Sequence, residues 1–185
     1  MTRRFVDEVS IVEIERWCDL ARRAPSAGFA QGVHFLIRID VRATLSDLGS
    51  LDWWSDRQPG VLDASAVVVV LADSSAYRDR YGQPDKRAKN LDDPREWRVP
   101  YWLTDAAMAV QNLLLVIENE NQGALFAGLF RDPRSALRSW GVPDEVDSLG
   151  MVFIGGRHPD DRPSGSPTRL SRRSRDETIH LDRWS

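Results

Sequence analysis

The stretch Ala24-Pro25-Ser26-Ala27-Gly28-Phe29-Ala30-Gln31-Gly32 joins an amphipathic pattern to an apolar run that begins near His34. Small residues, one hydroxyl and one amide stand there between two regular elements. Backbone N–H groups and the Ser26 hydroxyl can therefore approach a flat, polar ligand closely. A helix end followed by a turn accounts for Pro25 and Gly28 but leaves Gln31 without a role. Other chemistries fail on spacing. His34, His158 and His180 are far apart and form no paired metal-ligand motif, so no metal site is expected. Ser164-Gly165-Ser166-Pro167 lacks the flanking glycines and the strand-to-helix setting of a nucleophile elbow, and no glycine motif for a nucleotide phosphate opens a helix. Gly155-Gly156 after a strand reads as a turn. Hydrolase, P-loop and dinucleotide-domain readings weaken together.

The elements that must position this turn follow from periodicity. Ser10 and Glu13 make a capping box, and Ile11, Ile14, Trp17, Cys18 and Ala21 recur at helical spacing up to Pro25. His34 to Asp40 reads as the strand that leaves the turn, with a short helix around Thr44 to Leu48. Trp53-Trp54 falls in a loop or short helix. Ala64 to Ala72, with four consecutive valines, reads as a central strand buried on both faces. Tyr77 to Arg98 is rich in Arg, Asp, Lys and Pro, and its length fits a lid-like excursion over a ligand. Pro100 opens a helix to about Asn121 that is apolar on nearly every side, as a core or dimer-interface helix would be. Gly123 to Phe130 reads as a strand, Asp132-Pro133 starts a helix ending at Gly141, and Ser148 to Gly156 is the last clear strand. From Arg157 to residue 185 the chain forms a basic C-terminal arm, expected to dock through Ile179 and Trp184 at its tip. The pattern is that of one α+β domain over residues 1–185, a small central sheet covered by helices.

Composition narrows the classes further. At 185 residues, 42% hydrophobic and 29% charged, the chain has the make-up of a soluble globular domain, and its apolar runs fall short of a membrane span. The first residues show no export signal, so a cytoplasmic location is expected. A single cysteine, Cys18, excludes an intrachain disulfide and lies on a helix's apolar stripe, where an inert buried thiol is expected. The net charge of −3 hides a cluster of Arg157, Arg162, Arg169, Arg172, Arg173 and Arg175. Asp160, Asp161, Asp176 and Glu177 interrupt it, and no aromatic residues interleave with it, which argues against nucleic-acid binding. A solvated tail is the plain reading of such a run.

Four segments together resemble the nitroreductase family, and the resemblance covers almost the whole chain. Arg3-Arg4-Phe5 is similar to the end of that family's N-terminal Arg-Ser-x-Arg-x-Phe segment, with Arg3 on the second arginine. Pro25, Ser26 and Gln31 match Pro-Ser-x-x-Asn-x-Gln, with Phe29 in the asparagine's place. Residues 99–114 resemble the family's central helix, and Gln122 to Gly128 the strand whose backbone amides line the isoalloxazine. Arg172-Arg173-Ser174-Arg175-Asp176-Glu177 is similar to the family's C-terminal Arg-Arg-Pro-x-x-Glu ending. The resemblance implies an α+β homodimer with a long helix at its interface, using FMN as cofactor. It implies cofactor contacts from Arg3, Arg4, Pro25, Ser26, Ala27, Phe29, Gln31, Ala127, Gly128, Arg172 and Arg173. Arginine supplies the planar donors that a phosphate dianion needs, so Arg3 with Arg172 or Arg173 would form a clamp. Asp105 and Gln111 read as caps or interface hydrogen bonds.

The implied activity is hydride passage from NAD(P)H through the flavin to a small acceptor such as a nitroaromatic, quinone or enone. Because the flavin carries the electron chemistry, no catalytic side chain is expected. Trp53-Trp54 and the excursion would shape acceptor choice. Alternatives are an FMN-binding or flavin-sequestering protein without turnover, a flavin-fragmenting or dehalogenating member of the same family, and an interaction module that uses its arginine tail.

Overall fold

In the computed structural model, which describes residues 1–6, 9–86, 93, 97–162 and 164–184, Ser10 does what its spacing from Glu13 predicts. Its Oγ accepts from the Glu13 N–H, while Glu13 Oε2 accepts from the Ser10 N–H. This capping box starts α1, Ile11–Ala21, whose buried face is Ile14, Trp17, Cys18 and Ala21. A single turn at Ala27–Phe29 follows, then β2, Val33–Arg38. Helices α2 (Val41–Asp47) and α3 (Leu51–Arg57) lead through a tight turn at Pro59–Asp63 to β3, Ala66–Asp73. Helix α4, Ser74–Tyr81, precedes the long α5, Tyr101–Asn119, and then come β4 (Gly123–Ala127), α6 (Arg134–Ser139), β5 (Val146–Arg157) and the short α7 (Gly165–Arg169).

The sheet is antiparallel throughout, in the order β1-β5-β3-β2, where β1 is the pair Phe5–Val6 and β4 joins the same side of β5. Strand β5 is the hub. It pairs with β3 from Ala66↔Ile154 to Asp73↔Val146, with β4 from Gly123↔Gly155 to Ala127↔Met151, and with β1 through Phe5↔Arg157. Both faces of β3 are covered. Ala66, Val68, Val70 and Ala72 pack with α1 and α5, while Val67, Val69 and Leu71 pack with α2, α3 and α6. This is why the valine run does not alternate with polar residues.

Gly155 and Gly156 lie inside β5, paired with Gly123 and Val6, and not in a turn. Three further expectations are revised. Tyr77 and Tyr81 belong to α4 rather than to an irregular lid, and Tyr77 is fully buried. Trp97, at the far end of the excursion, is anchored among Tyr81, Tyr101 and Tyr77 with ring centroids 4.9, 5.1 and 6.2 Å away. The rest of that excursion, 87–92 and 94–96, lies outside the described residues. Strand β4 stops at Ala127, because Gly128 to Phe130 turns away from β5. The arm does not dock its tip on its own chain: Ile179 is 62% and Trp184 is 87% exposed.

Cys18 is buried, and that burial, reinforced by the nearby Glu15 charge, pushes its thiol up to about 12. The thiolate is the reactive form. At pH 8 a disulfide reagent such as DTNB is therefore expected to leave the native protein unmodified and to release one equivalent of dye on unfolding. Prompt reaction of the native protein would refute an inert thiol.

Candidate functional site

The turn at Pro25–Gln31 is built against local preference. Gly28, Phe29 and Gln31 have φ values of 63°, 60° and 55°, so two residues with side chains occupy the left-handed region. What holds them is a buried carboxylate. Asp105, in the first turns of α5 and 3% exposed, accepts on Oδ2 from the Ala27 N–H at 2.7 Å and from the Tyr77 hydroxyl at 2.7 Å. From outside the turn, Arg80 Nε donates to the Gly28 carbonyl at 2.8 Å, and a Cβ on Gly28 would lie 3.0 Å from the Tyr81 ring. Helices α4 and α5 thus grip the turn from two sides. Burial, then the bond to Asp105, hold the Tyr77 hydroxyl above its ordinary range.

Ser26 is partly engaged. Its Oγ accepts from the Gln31 N–H at 3.1 Å, which leaves the hydroxyl proton for a ligand. Pro25, Ser26 and Gln31 line a cavity of about 240 Å³ with Arg22, His34 and Asp105. Phe29 points away from the core and is 75% exposed. The strain at Phe29 gives an expected outcome: Phe29→Asn, a residue that tolerates the left-handed region, should raise stability by about 0.5–1 kcal/mol in urea unfolding. A loss of stability would show that the exposed ring makes contacts that matter more than the backbone.

A second polar site lies at the N-terminal segment. The backbone N–H groups of Arg3 and Arg4 both donate to Asp161 Oδ1, at 3.0 Å each. A cleft of about 330 Å³ there includes Arg3, Arg4, Arg57, Gly60, Asp161 and Arg162 among its lining residues. Ala127 ends β4 and pairs with Met151, and Gly128 beyond it is open, since a Cβ there would meet nothing within 4 Å. Two residues further along the chain, Phe130 lies against Trp53, both exposed with ring centroids 5.0 Å apart, while Trp54 is buried against Phe153.

The structure therefore groups Pro25, Ser26 and Gln31, with Ala27 in the same turn, and separately groups Arg3 and Arg4. Arg172 and Arg173 are exposed on the arm and line neither of these cavities. Sequence reading missed Tyr77 and Arg80 as supports of the turn, and Arg57 and Arg162 as neighbours of Arg3. For Asp105 a signal existed, an acid in the first turns of a largely apolar helix, which must find donors when buried. Gln111 lies on the exposed side of α5, in a groove with Met1 and Leu115. Among the described residues no cluster of three potential metal ligands occurs, and no helix is long and apolar enough to cross a membrane.

This layering of an antiparallel sheet between α1/α5 and α2/α3/α6 is shared with solved nitroreductase structures. The Streptococcus pneumoniae nitroreductase family protein matches with a TM-score of 0.72 at 19% identity, over 97% of this chain and 94% of its own. A Desulfovibrio desulfuricans protein described as a nitroreductase, in complex with FMN, matches with a TM-score of 0.68 at 18% identity, over 100% and 92%. By sequence, a candidate NADH dehydrogenase/NAD(P)H nitroreductase of Archaeoglobus fulgidus is 27% identical over 182 residues, 96% of this chain and 88% of the relative. No protein-family model matches. The fold is the nitroreductase fold. In sequence and in fold the chain is similar to proteins described as nitroreductases.

Proposed function

We propose that this protein is an FMN-dependent oxidoreductase. Bound FMN would supply the hydride acceptor and donor, between NAD(P)H and a small acceptor such as a nitroaromatic, quinone or enone. The observation that carries this reading is the turn itself. Two side-chain-bearing residues are kept in the left-handed region by a buried carboxylate, a cost that persists only where the surroundings enforce it and that clusters at ligand sites.

The residues present fit such a cofactor. The Ser26 hydroxyl and the backbone of Pro25, Ala27 and Gln31 would meet a polar ring edge. Phe29 would offer its main chain and an apolar ring, not an amide. Ala127 and Gly128 are small enough for main-chain N–H groups to approach a flat ring, and the open space above Gly128 leaves that approach clear. Arg3 and Arg4, presented by Asp161, would face the phosphate. Exposed Phe130, two residues after Gly128, and the Trp53 ring against it would form an apolar wall for the acceptor.

Assembly follows from surface chemistry. Helix α5 exposes Tyr101, Met108 and Leu115, and the arm exposes Leu170, Leu181 and Trp184. That apolar surface supports a homodimer with α5 at its interface, which sedimentation equilibrium would report.

The deciding experiment is a visible spectrum of the purified protein followed by anaerobic addition of NADH or NADPH. A yellow protein that bleaches is expected. A colourless protein that FMN cannot reconstitute overturns the reading. A yellow protein that neither nucleotide reduces would instead identify an FMN holder without turnover, the reading favoured by Phe29, which puts a ring where the family carries an amide.

A further inference from the structure

The cleft at the N-terminal segment carries more cations than the recognised motif supplies. Arg57 comes from the end of α3 and Arg162 from the loop after β5, and both line it beside Arg3 and Arg4. Asp160 and Asp161 are the acids present. Four guanidinium groups against two carboxylates leave an excess of two positive charges. A phosphate monoester carries about −1.5 to −2 at neutral pH, so the cleft and such a group match in charge.

Among the described residues the cations are not consumed by close ion pairs; Arg3 Nη1 donates to the Met1 carbonyl and Arg162 Nη1 to the Asp161 carbonyl, both at 3.1 Å, and both acceptors are neutral. Among the described residues Arg4 and Arg57 make no ion pair, and Arg162 meets Asp160 only at 4.0 Å with both side chains well exposed. The walls are built to close tolerance. A Cβ on Gly60 would stand 2.6 Å from the Arg3 carbonyl oxygen and 2.9 Å from Arg4 Cα, so the turn after α3 lies directly against the arginine backbone. On the other side His158 N–H donates to the Arg4 carbonyl at 3.1 Å, and Asp161 takes both arginine N–H groups. Asp161 is thus a positioning residue: it fixes the backbone from which Arg3 and Arg4 project.

We propose that this cleft binds a phosphate monoester, the phosphate of FMN, and that Arg57 and Arg162 are ligands to it together with Arg3 and Arg4. The proposal rests on the FMN reading above and adds two residues outside its motif. Planar guanidinium donors suit a phosphate better than any other side chain, and removal of one such charge-assisted contact weakens binding about tenfold or more.

The test compares FMN with riboflavin, which lacks the phosphate, by fluorescence titration of the flavin-free full-length protein. Arg57→Ala and Arg162→Ala are each expected to weaken FMN at least about tenfold and to change riboflavin less than about twofold. Arg138→Ala, an exposed arginine on α6 paired with Asp144, serves as control and should change neither. Equal loss for both flavins, or no loss for either, overturns the assignment.

Inorganic phosphate supplies an arm independent of flavin. It should raise the melting temperature of the flavin-free protein above that in chloride of equal ionic strength, and Arg57→Ala should abolish the rise. No rise in the wild-type protein overturns the phosphate site, whereas a rise in a protein that binds neither flavin overturns only the FMN reading. A Arg57→Ala protein whose KM rises for NADPH and not NADH, with the FMN-to-riboflavin ratio unchanged, would place the nicotinamide nucleotide's phosphate there and overturn the flavin assignment.

Discussion

Asp105→Ala is expected to lower stability by roughly 3–5 kcal/mol and to abolish tight flavin binding. The substitution strands two donors at once. The Ala27 N–H and the Tyr77 hydroxyl both depend on Asp105 Oδ2. A buried donor left unsatisfied costs about 1–3 kcal/mol, and bonds to charged groups lie at the upper end. The turn then loses the restraint that keeps Phe29 and Gln31 left-handed. Asp105→Asn keeps an acceptor and should lose less, about 1–2 kcal/mol. Urea unfolding and flavin titration check both. Equal effects from Ala and Asn would mean that the charge, not the hydrogen bonds, holds the turn.

Tyr77→Phe isolates the other end of that network and carries a pH signature. The folded-state pKa of Tyr77 is raised, first by burial and then by the bond to Asp105. A group raised in the folded state contributes stability that is fully present below its unfolded value, about pH 10 for tyrosine, and that is lost as pH rises beyond it. Stability should therefore fall above about pH 10, and Tyr77→Phe should flatten that fall. An unchanged slope in the variant would assign the alkaline transition to other groups.

The second large effect is expected at Gly32. A Cβ there would stand 2.6 Å from the Asp73 carbonyl oxygen and 2.7 Å from the Tyr77 ring. Neither neighbour can give way. The Gly32 carbonyl itself accepts from the Asp73 N–H at 2.7 Å, and Tyr77 is held by Asp105. Gly32→Ala must push the start of β2 off β3 and distort the turn that precedes it, at about 1–3 kcal/mol or more for overpacking. The expected result is a lowered melting temperature with a larger proportional loss of flavin affinity. Full flavin affinity in a destabilised Gly32→Ala protein would separate the turn from cofactor binding.

The fold was largely legible because its elements announce themselves locally. Ser10 and Glu13 start α1 where the capping box predicts, and Val67 to Val70 lie in a strand covered on both sides. Residues 101–119 form the long helix that their apolar content demands. Strand β1 was missed because two residues carry no periodicity, and Phe5–Val6 becomes a strand only by pairing with β5. Helix α4 carries no local signal because Arg, Asp and Tyr give it no apolar stripe. Its one fully buried ring, Tyr77, is placed by Asp105, 28 residues away. The site divides the same way. Pro25, Ser26 and Gln31 were readable as a turn of chemical interest, but their left-handed backbone and its clamp were not.

By itself the sequence determined most of the order of helices and strands, the α+β class and the likeness to nitroreductases, since these follow from short-range periodicity and contiguous motifs. Only the tertiary structure decided which charges meet: Asp105 beneath the turn, Asp161 on the arginine backbone, and Arg57 with Arg162 beside Arg3. The physical reason is that a buried or clustered charge is stabilised by donors and countercharges brought together by packing, and their separation along the chain carries no local signal.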